Sequence, residues 1–430
     1  MIQDLIAAGG VRSVYQPIVD LDTDRVVGYE ALARGPEGSE LERPDRLFAA
    51  ARASGMMEAL DEACAAAAIH GAVAQGLASP LALFVNVEPE AVHDARLAAL
   101  VDIAEAAPRP LRLVFEVTER ALAERPAELL ATVAGIRAQG WAVALDDVGA
   151  DPASLAFMPL LRPEIVKLDL RLVQRRPSRV VAQIMNAVNA YAEESGAVIL
   201  AEGIETDEQL ATARALGARL GQGWLFGRPG AIGGDRAVGT FALSSPGAMT
   251  TRETSPFACL DPGTALRRST KTLLIEISKH LEEHAMRQGD ACVVAATFQH
   301  AKHFTPLTQL RYRNLSDTVG FVCALGEGLA VEPLPGVRGA DLRLDDPIRG
   351  EWDIVVLSPH FAAALLARDL GDTGPDRERR FDFALTYRRD VVVKAAWSLL
   401  SRVAQARAAA RPVDISPASG DASIIRRLAA

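Results

Sequence analysis

Cysteine is scarce in this chain. Cys64, Cys259, Cys292 and Cys323 stand far apart with no CxxC spacing. Neither a disulfide framework nor a thiolate metal site is expected, and free thiols in a reducing cytoplasm are. Long apolar runs are missing as well. None approaches the ~18–20 residues that span a bilayer, so no membrane partner is expected. The opening stretch MIQDLIAAGGVRSVYQPIV has no basic segment leading into an apolar one, which argues against a secretory leader. Positive charge is in deficit: 46 Lys and Arg face 55 Asp and Glu, for a formal net charge of −9. That balance argues against binding a nucleic acid polymer, where Lys and Arg must neutralise phosphates. A small phosphorylated ligand held through metal ions remains open.

What is present is a soluble globular profile, 49% hydrophobic and 23% charged, over 430 residues. That length suits two domains better than one. From residue 11 to about 230 a short apolar run with a polar residue at its end alternates with helical stretches. The runs are RSVYQPIV, VVGYEALAR, LALFVNV, LRLVFEV, WAVALDD, EIVKLD, AVILAEG and QGWLF. TDEQLATARALG opens with a capping-box spacing, Thr206 to Gln209, and stops at Gly217. Such alternation predicts an α/β protein whose parallel sheet is covered by helices, and eight runs predict a (β/α)8 TIM-like barrel. The barrel is assigned to residues 1–235, a Gly/Pro/Ser/Thr-rich linker to 236–263 and a smaller mixed α/β domain to 264–407. Residues 408–430 read as a poorly ordered tail.

The polar residues closing the barrel runs are Glu30, Asn86, Glu116, Asp146 with Asp147, Lys167, Glu202 and Gln222. A barrel gathers such positions at the mouth formed by the carboxyl ends of its strands. Taken singly, a strand-end carboxylate is ordinarily solvated or caps a helix; a convergent ring of them is harder to explain that way. Most are hard oxygen donors, suited to Mg²⁺, Mn²⁺ or Ca²⁺. Asp146 and Asp147 are adjacent like charges at the end of a buried run, and a pair of divalent cations would neutralise them.

These motifs carry a resemblance. YEALAR, FVNV, FEVTE, the Asp146-Asp147 pair, VKLD, AEGIET and GQGWLFGRP stand in the order and spacing of the EAL domain. That family comprises the cyclic di-GMP phosphodiesterases. The resemblance covers about half the chain and implies hydrolysis of cyclic di-GMP to linear pGpG with two ions, Mg²⁺ or Mn²⁺. It implies that Glu30, Asn86, Glu116 and Asp146 hold one ion, and that Asp146, Asp147 and Glu202 hold the other. Lys167 is then the lysine beside the nucleophilic water, and Glu119 braces the loop after Asp147. Arg34, Glu205 and Gln222 become substrate contacts. A homodimer is expected from the family. One stretch departs from it: the family commonly reads Asp-Asp-Phe-Gly-Thr-Gly, whereas this chain reads Asp146-Asp147-Val148-Gly149-Ala150-Asp151. An aromatic anchor is lost, and Asp151-Pro152 stiffens the exit. The complete ligand set favours an enzyme; the altered loop favours the alternative, a non-catalytic cyclic di-GMP receptor. An aldolase using Lys167 as a Schiff base is disfavoured by the surrounding carboxylates.

The C-terminal unit resembles the DICT sensory domain through TFQHAKHFTPLTQLRYRNLSDTVGFVCALG and DIVVLSPHFAAALLARD, which implies a regulatory role. Here HFAAALLARDL is predicted as a helix, and Arg311, Tyr312 and Arg313 are read as a solvated strand edge in preference to a set of ligand contacts. HLEEH, from His280 to His284, matches the H-x-x-E-H spacing of some zinc peptidases. It lies on a helix whose apolar stripe runs through Leu274, Ile277 and Leu281, with no third ligand in view, so packing is the better reading. His300 and His303, at a strand exit, are no more specific.

Overall fold

The computed structural model describes residues 2–88, 94–118, 125–150, 154–174, 176, 178–244 and 255–403. Eight strands close a barrel in which sequence neighbours are spatial neighbours. They are β1 (Arg12–Asp20), β2 (Arg25–Arg34), β3 (Ala82–Asn86), β4 (Arg112–Thr118), β5 (Ala142–Val148), β6 (Ile165–Leu168), β7 (Val198–Ala201) and β8 (Leu220–Gln222). Strands β2 to β8 pair in parallel. Strand β1 departs from the expected all-parallel sheet and runs antiparallel to both β2 and β8. The cause is local. No helix separates β1 from β2, and Asp20 Oδ1 accepts hydrogen bonds from Asp22 N, Thr23 N and the Thr23 hydroxyl. Asp24 follows at φ 54°, so the chain doubles back as a hairpin, and a hairpin can only pair antiparallel.

The covering helices include α1 (Met57–Ala74), α2 (Pro126–Ala138), α3 (Ser154–Leu161), α4 (Arg179–Ser195) and α5 (Asp207–Ala215). The capping box opens α5: Gln209 N donates to Thr206 Oγ1 at 3.2 Å and Thr206 N to Gln209 Oε1 at 3.1 Å. Inside the barrel, Ile18, Phe84, Val114, Ala144, Ile165, Leu200 and Leu220 form a fully buried apolar floor. Phe241 seals it from below, 3% exposed, with the Arg112 guanidinium 4.3 Å from its ring centroid. Residues 237–239 bond to Val26, so the first part of the expected linker folds onto the barrel.

The second unit is built on a seven-stranded sheet, ordered β12-β11-β10-β13-β14-β15-β9. Its strands are β9 (Arg267–Thr270), β10 (Val293–His300), β11 (Phe321–Glu327), β12 (Val337–Asp341), β13 (Glu351–Leu357), β14 (Ala362–Asp369) and β15 (Arg380–Thr386). Helices α6 (Lys271–Gln288) and α7 (Pro306–Ser316) cover one face and α8 (Arg389–Leu400) the other. Two expectations are corrected. HFAAALLARDL is strand β14, because Ser358 N donates to Phe361 O at 2.7 Å and turns β13 straight into it; burial on both faces overrides the helical preference of alanine. Arg311, Tyr312 and Arg313 lie inside α7, which Thr305 caps and Pro306 opens. His284 stacks on Phe361, 5.3 Å between centroids, and its Nδ1 lies 2.6 Å from Arg287 Nη2; a guanidinium there repels a metal ion. Among the described residues no helix is long and apolar enough to cross a membrane.

Candidate active site

Side chains alternate across a strand with period two, and that rule builds the site. One step of two residues beyond the apolar floor, Phe84 gives way to Asn86, Val114 to Glu116, Ala144 to Asp146 and Ile165 to Lys167. Leu200 likewise gives way to Glu202 and Leu220 to Gln222. From β2, Glu30 enters the same layer two residues after Gly28. Gly28 is obligatory there, since a Cβ would sit 2.6 Å from Ala82 O. A dry floor thus changes to a polar ring in a single layer.

Lys167 occupies the centre, fully buried. Its Nζ lies 2.6 Å from Glu116 Oε1, 2.8 Å from Glu202 Oε1, 3.0 Å from Asp146 Oδ1 and 3.6 Å from Glu30 Oε1. Burial alone would strip its proton, but these four carboxylates outweigh burial and hold its pKa well above the usual lysine range. Burial and then the neighbouring Glu30 push Glu116 well up, and burial pushes Glu202 up to about 8. Burial also opposes charge on Glu30, yet Lys167 and the Gln222 amide prevail and hold it below the usual range. The close ammonium makes no well-aligned hydrogen bond to Glu116, and both carboxylate oxygens of that residue are buried without a hydrogen-bond partner among the described residues. Four carboxylates therefore crowd one ammonium, and two of them favour protonation. Such a donor set fits hard divalent cations.

The adjacent pair is explained by a bulge. Leu145 pairs with Val166 and Val148 with Leu168, so Asp146 and Asp147 together face Lys167 alone. Regular alternation would turn Asp147 outward towards the helices. The extra residue, with Asp147 at φ 56°, re-aims it. Asp146, Asp147 and Glu202 consequently bring one oxygen each within 4.8 Å of one another. Val148 ends the strand fully buried. Gly149 at φ 94° lies so close to Leu172 that a Cβ would come within 2.6 Å of its Cδ1.

The remaining sequence candidates are placed differently. Asn86 Nδ2 donates to Glu30 Oε1 at 3.3 Å. Gln222 is 4% exposed, and its amide donates to Glu30 Oε2 at 2.5 Å and Gln16 Oε1 at 3.0 Å; it orients Glu30 from within the ring. Arg34 is half-buried beside a cleft of about 240 Å³ shared with Asn86, Glu116 and Thr118, its Nη1 donating to Ala33 O. Glu205 is exposed just ahead of α5. Glu119 and Asp151-Pro152 lie outside the described residues. Three participants had gone unremarked in the sequence. Gln16, inward on β1, links Gln222 to Gly227 O. Asp61, a buried acid on the apolar face of α1, accepts from Glu88 N in the Arg34 cleft. Trp224 is 53% exposed two residues past Gln222, with Arg228 4.1 Å over its ring. Alternation in β1, an acid in an apolar helix face and an aromatic just past a strand end were the available signals.

Fold and site together define a class: a barrel whose C-terminal rim sets oxygen donors around one buried lysine. Residues 1–229 match the EAL domain family, and the chain belongs to it. Residues 260–370 match a sensory domain of diguanylate cyclases and two-component systems, DICT. The barrel is 33% identical over 222 residues to the cyclic di-GMP phosphodiesterase NbdA of Pseudomonas aeruginosa, covering 50% of this chain and 28% of that protein. It is 30% identical over 235 residues to the cyclic di-GMP phosphodiesterase RocR of the same organism, covering 51% and 58%. A solved manganese and cyclic di-GMP complex of Klebsiella pneumoniae BlrP1 is 30% identical with a TM-score of 0.47, covering 51% of this chain and 56% of that one. The chain thus spans less than two thirds of each of these relatives.

Proposed function

We propose that the barrel is a metal-dependent phosphodiesterase that opens cyclic di-GMP to linear pGpG under control of the second domain. The observation carrying this reading is the convergence of Glu30, Glu116, Asp146 and Glu202 on the Lys167 ammonium at the rim. Glu30, Asn86, Glu116 and Asp146 would hold one Mg²⁺ or Mn²⁺, and Asp146, Asp147 and Glu202 the other. Bound there, such ions supply Lewis acidity towards a phosphate and acidify water.

The chain's own residues bind and orient. Arg34 exchanges the Ala33 carbonyl for a phosphate oxygen, a geometry its planar fork suits. Lys167 is held too basic to release its proton, so it orients the attacking water and stabilises charge on the phosphoryl oxygens rather than acting as a base. Gln222 and Gln16 fix the Glu30 carboxylate. Trp224 offers an exposed ring for a guanine to stack on. Water oxygen bonds to phosphorus, the bond to the 3′ oxygen breaks, and that oxygen leaves with a proton.

Control by the second domain is supported by what covers α3, the helix following the Asp146-Asp147 strand. SLAFMPLL is almost wholly apolar, and Leu155 to Leu161 are all buried. One side packs on the barrel. On the other, Phe157 meets Phe321 edge-on at 5.8 Å and Trp397 Nε1 donates to Leu160 O at 2.6 Å. One continuous apolar core joins both units.

The test is purified full-length protein, Mn²⁺ or Mg²⁺ and cyclic di-GMP, with products separated by chromatography. Accumulation of pGpG that is abolished by Glu30→Ala or Lys167→Ala is expected. Ligand-raised melting without product would replace the enzyme with the receptor reading.

A further inference from the structure

A cavity of about 270 Å³ opens in the second unit between α6, α7 and the sheet. Its apolar side combines aliphatic side chains, among them Ile275, Leu307 and Ile354, with three aromatic ones. Phe298 comes from β10, Trp352 from β13 and Tyr312 from α7. The indole is fixed in place, since Trp352 Nε1 donates to Ser278 Oγ at 3.1 Å. Tyr312 is completely buried.

The charges around the cavity do not cancel. Lys271, 4% exposed, is answered by Asp376 at 2.7 Å, and Arg311 by the buried Glu282 at 2.7 Å. Asp353 also lines the cavity, a buried acid whose carboxyl is pushed well up by burial and then by Glu351; two cations are left at the rim. Among the described residues Lys279 forms an ion pair with Glu276, an acid whose side chain is 63% exposed, and such surface pairs are weak. Arg377 is exposed and makes no ion pair among the described residues. Thr305, the cap of α7, and Thr308, in its first turn, line the same space, adding the positive end of a helix dipole. Buried ion pairs stabilise a core less than apolar packing would, so folding alone does not explain this lining. An aromatic floor selects a planar ring; surplus cations at the mouth select an anion attached to it.

We propose that this cavity is a ligand site for a small planar aromatic carboxylate, bound with its ring against Trp352 and Phe298 and its carboxylate between Lys279, Arg377 and the start of α7. The inference rests on the sensory reading of this unit, and it makes the bound acid the sensed signal.

The experiment titrates full-length protein, without cyclic di-GMP, with indole-3-acetate and with its uncharged match indole-3-acetamide, by calorimetry and by melting temperature. The carboxylate is expected to bind and raise the melting temperature, and the amide to bind at least about tenfold more weakly, ~1.4 kcal/mol. The double variant Lys279→Ala/Arg377→Ala, altered only at the rim, should melt as wild type without ligand and lose about tenfold in carboxylate affinity. Arg343→Ala, an exposed cation elsewhere on the unit, should lose none. Equal binding of acid and amide, an unchanged affinity in the double variant, or no binding at all would overturn the site. Turnover is assayed separately: acid binding without pGpG would remove the phosphodiesterase and leave this site, and pGpG without acid binding would do the reverse.

Discussion

Replacing Lys167 with methionine isolates the electrostatics of the rim. Methionine keeps most of the side-chain volume and deletes the charge, leaving Glu30, Glu116, Asp146 and Glu202, all 2.6–3.6 Å from the ammonium, facing one another without a cation. Removing one partner from a buried ion pair costs ~3–5 kcal/mol. For a unit of roughly 200 residues each kcal/mol moves the melting temperature by ~2–4 °C. Metal-free Lys167→Met is therefore expected to melt ~6–20 °C below wild type. Divalent cations should then matter more to the variant, because no ammonium competes for the same oxygens. At a hundredfold excess over its dissociation constant, one bound ion contributes ~2.7 kcal/mol, roughly half to nine-tenths of the gap. The assay is differential scanning calorimetry of both proteins with EDTA and with Mn²⁺. A metal-free variant within ~2 °C of wild type, or a gap that Mn²⁺ leaves unchanged, would refute the account of Lys167 as the counter-charge of the ring.

Phe157→Ala deletes a fully buried ring at the junction of the two units; a loss of ~3–5 kcal/mol should split a single calorimetric transition into two, and one unsplit transition would contradict the shared core. Trp224→Ala should raise KM for cyclic di-GMP by ~5–150-fold, equivalent to ~1–3 kcal/mol of stacking, with kcat nearly unchanged; steady-state kinetics decide it. Asp353→Asn tests a buried acid. Burial and then Glu351 raise the Asp353 pKa well above normal, so the folded state binds a proton more tightly than the unfolded one. Stability then falls as pH rises from the unfolded value of ~3.9 through the folded value. Asparagine removes that penalty and keeps an oxygen for Ala367 N, which donates to Asp353 Oδ1 at 3.3 Å. The variant's advantage in melting temperature should grow between pH 5 and pH 8, and a shrinking advantage would reverse the sign.

The ring of donors was legible because strand alternation and strand ends are written locally: Asn86, Glu116, Asp146 and Lys167 each follow an apolar inward residue by two. Asp147 was legible as a candidate but its geometry was not, since a bulge depends on how β5 and β6 pair. The antiparallel β1 could have been read from the short polar link after Asp20, which leaves no room for a crossover helix. β14 was misread because its alanines and leucines suit a helix until both neighbouring strands are in place. Tyr312 was misread because Thr305-Pro306, a sound helix start, was passed over. Gln222 was assigned by resemblance to the substrate, and only the packed barrel places its amide on Glu30.

Phe241 sets a practical limit on dissecting this protein. It lies beyond β8 in sequence yet stoppers the barrel from beneath, and burying such a ring contributes ~1.5–3 kcal/mol. A fragment ending at residue 235 would leave Ile18, Val114 and Leu220 open to water at the base. An inactive fragment of that kind would report a leaking floor, not a lost regulator; a fair comparison must run at least through residue 244.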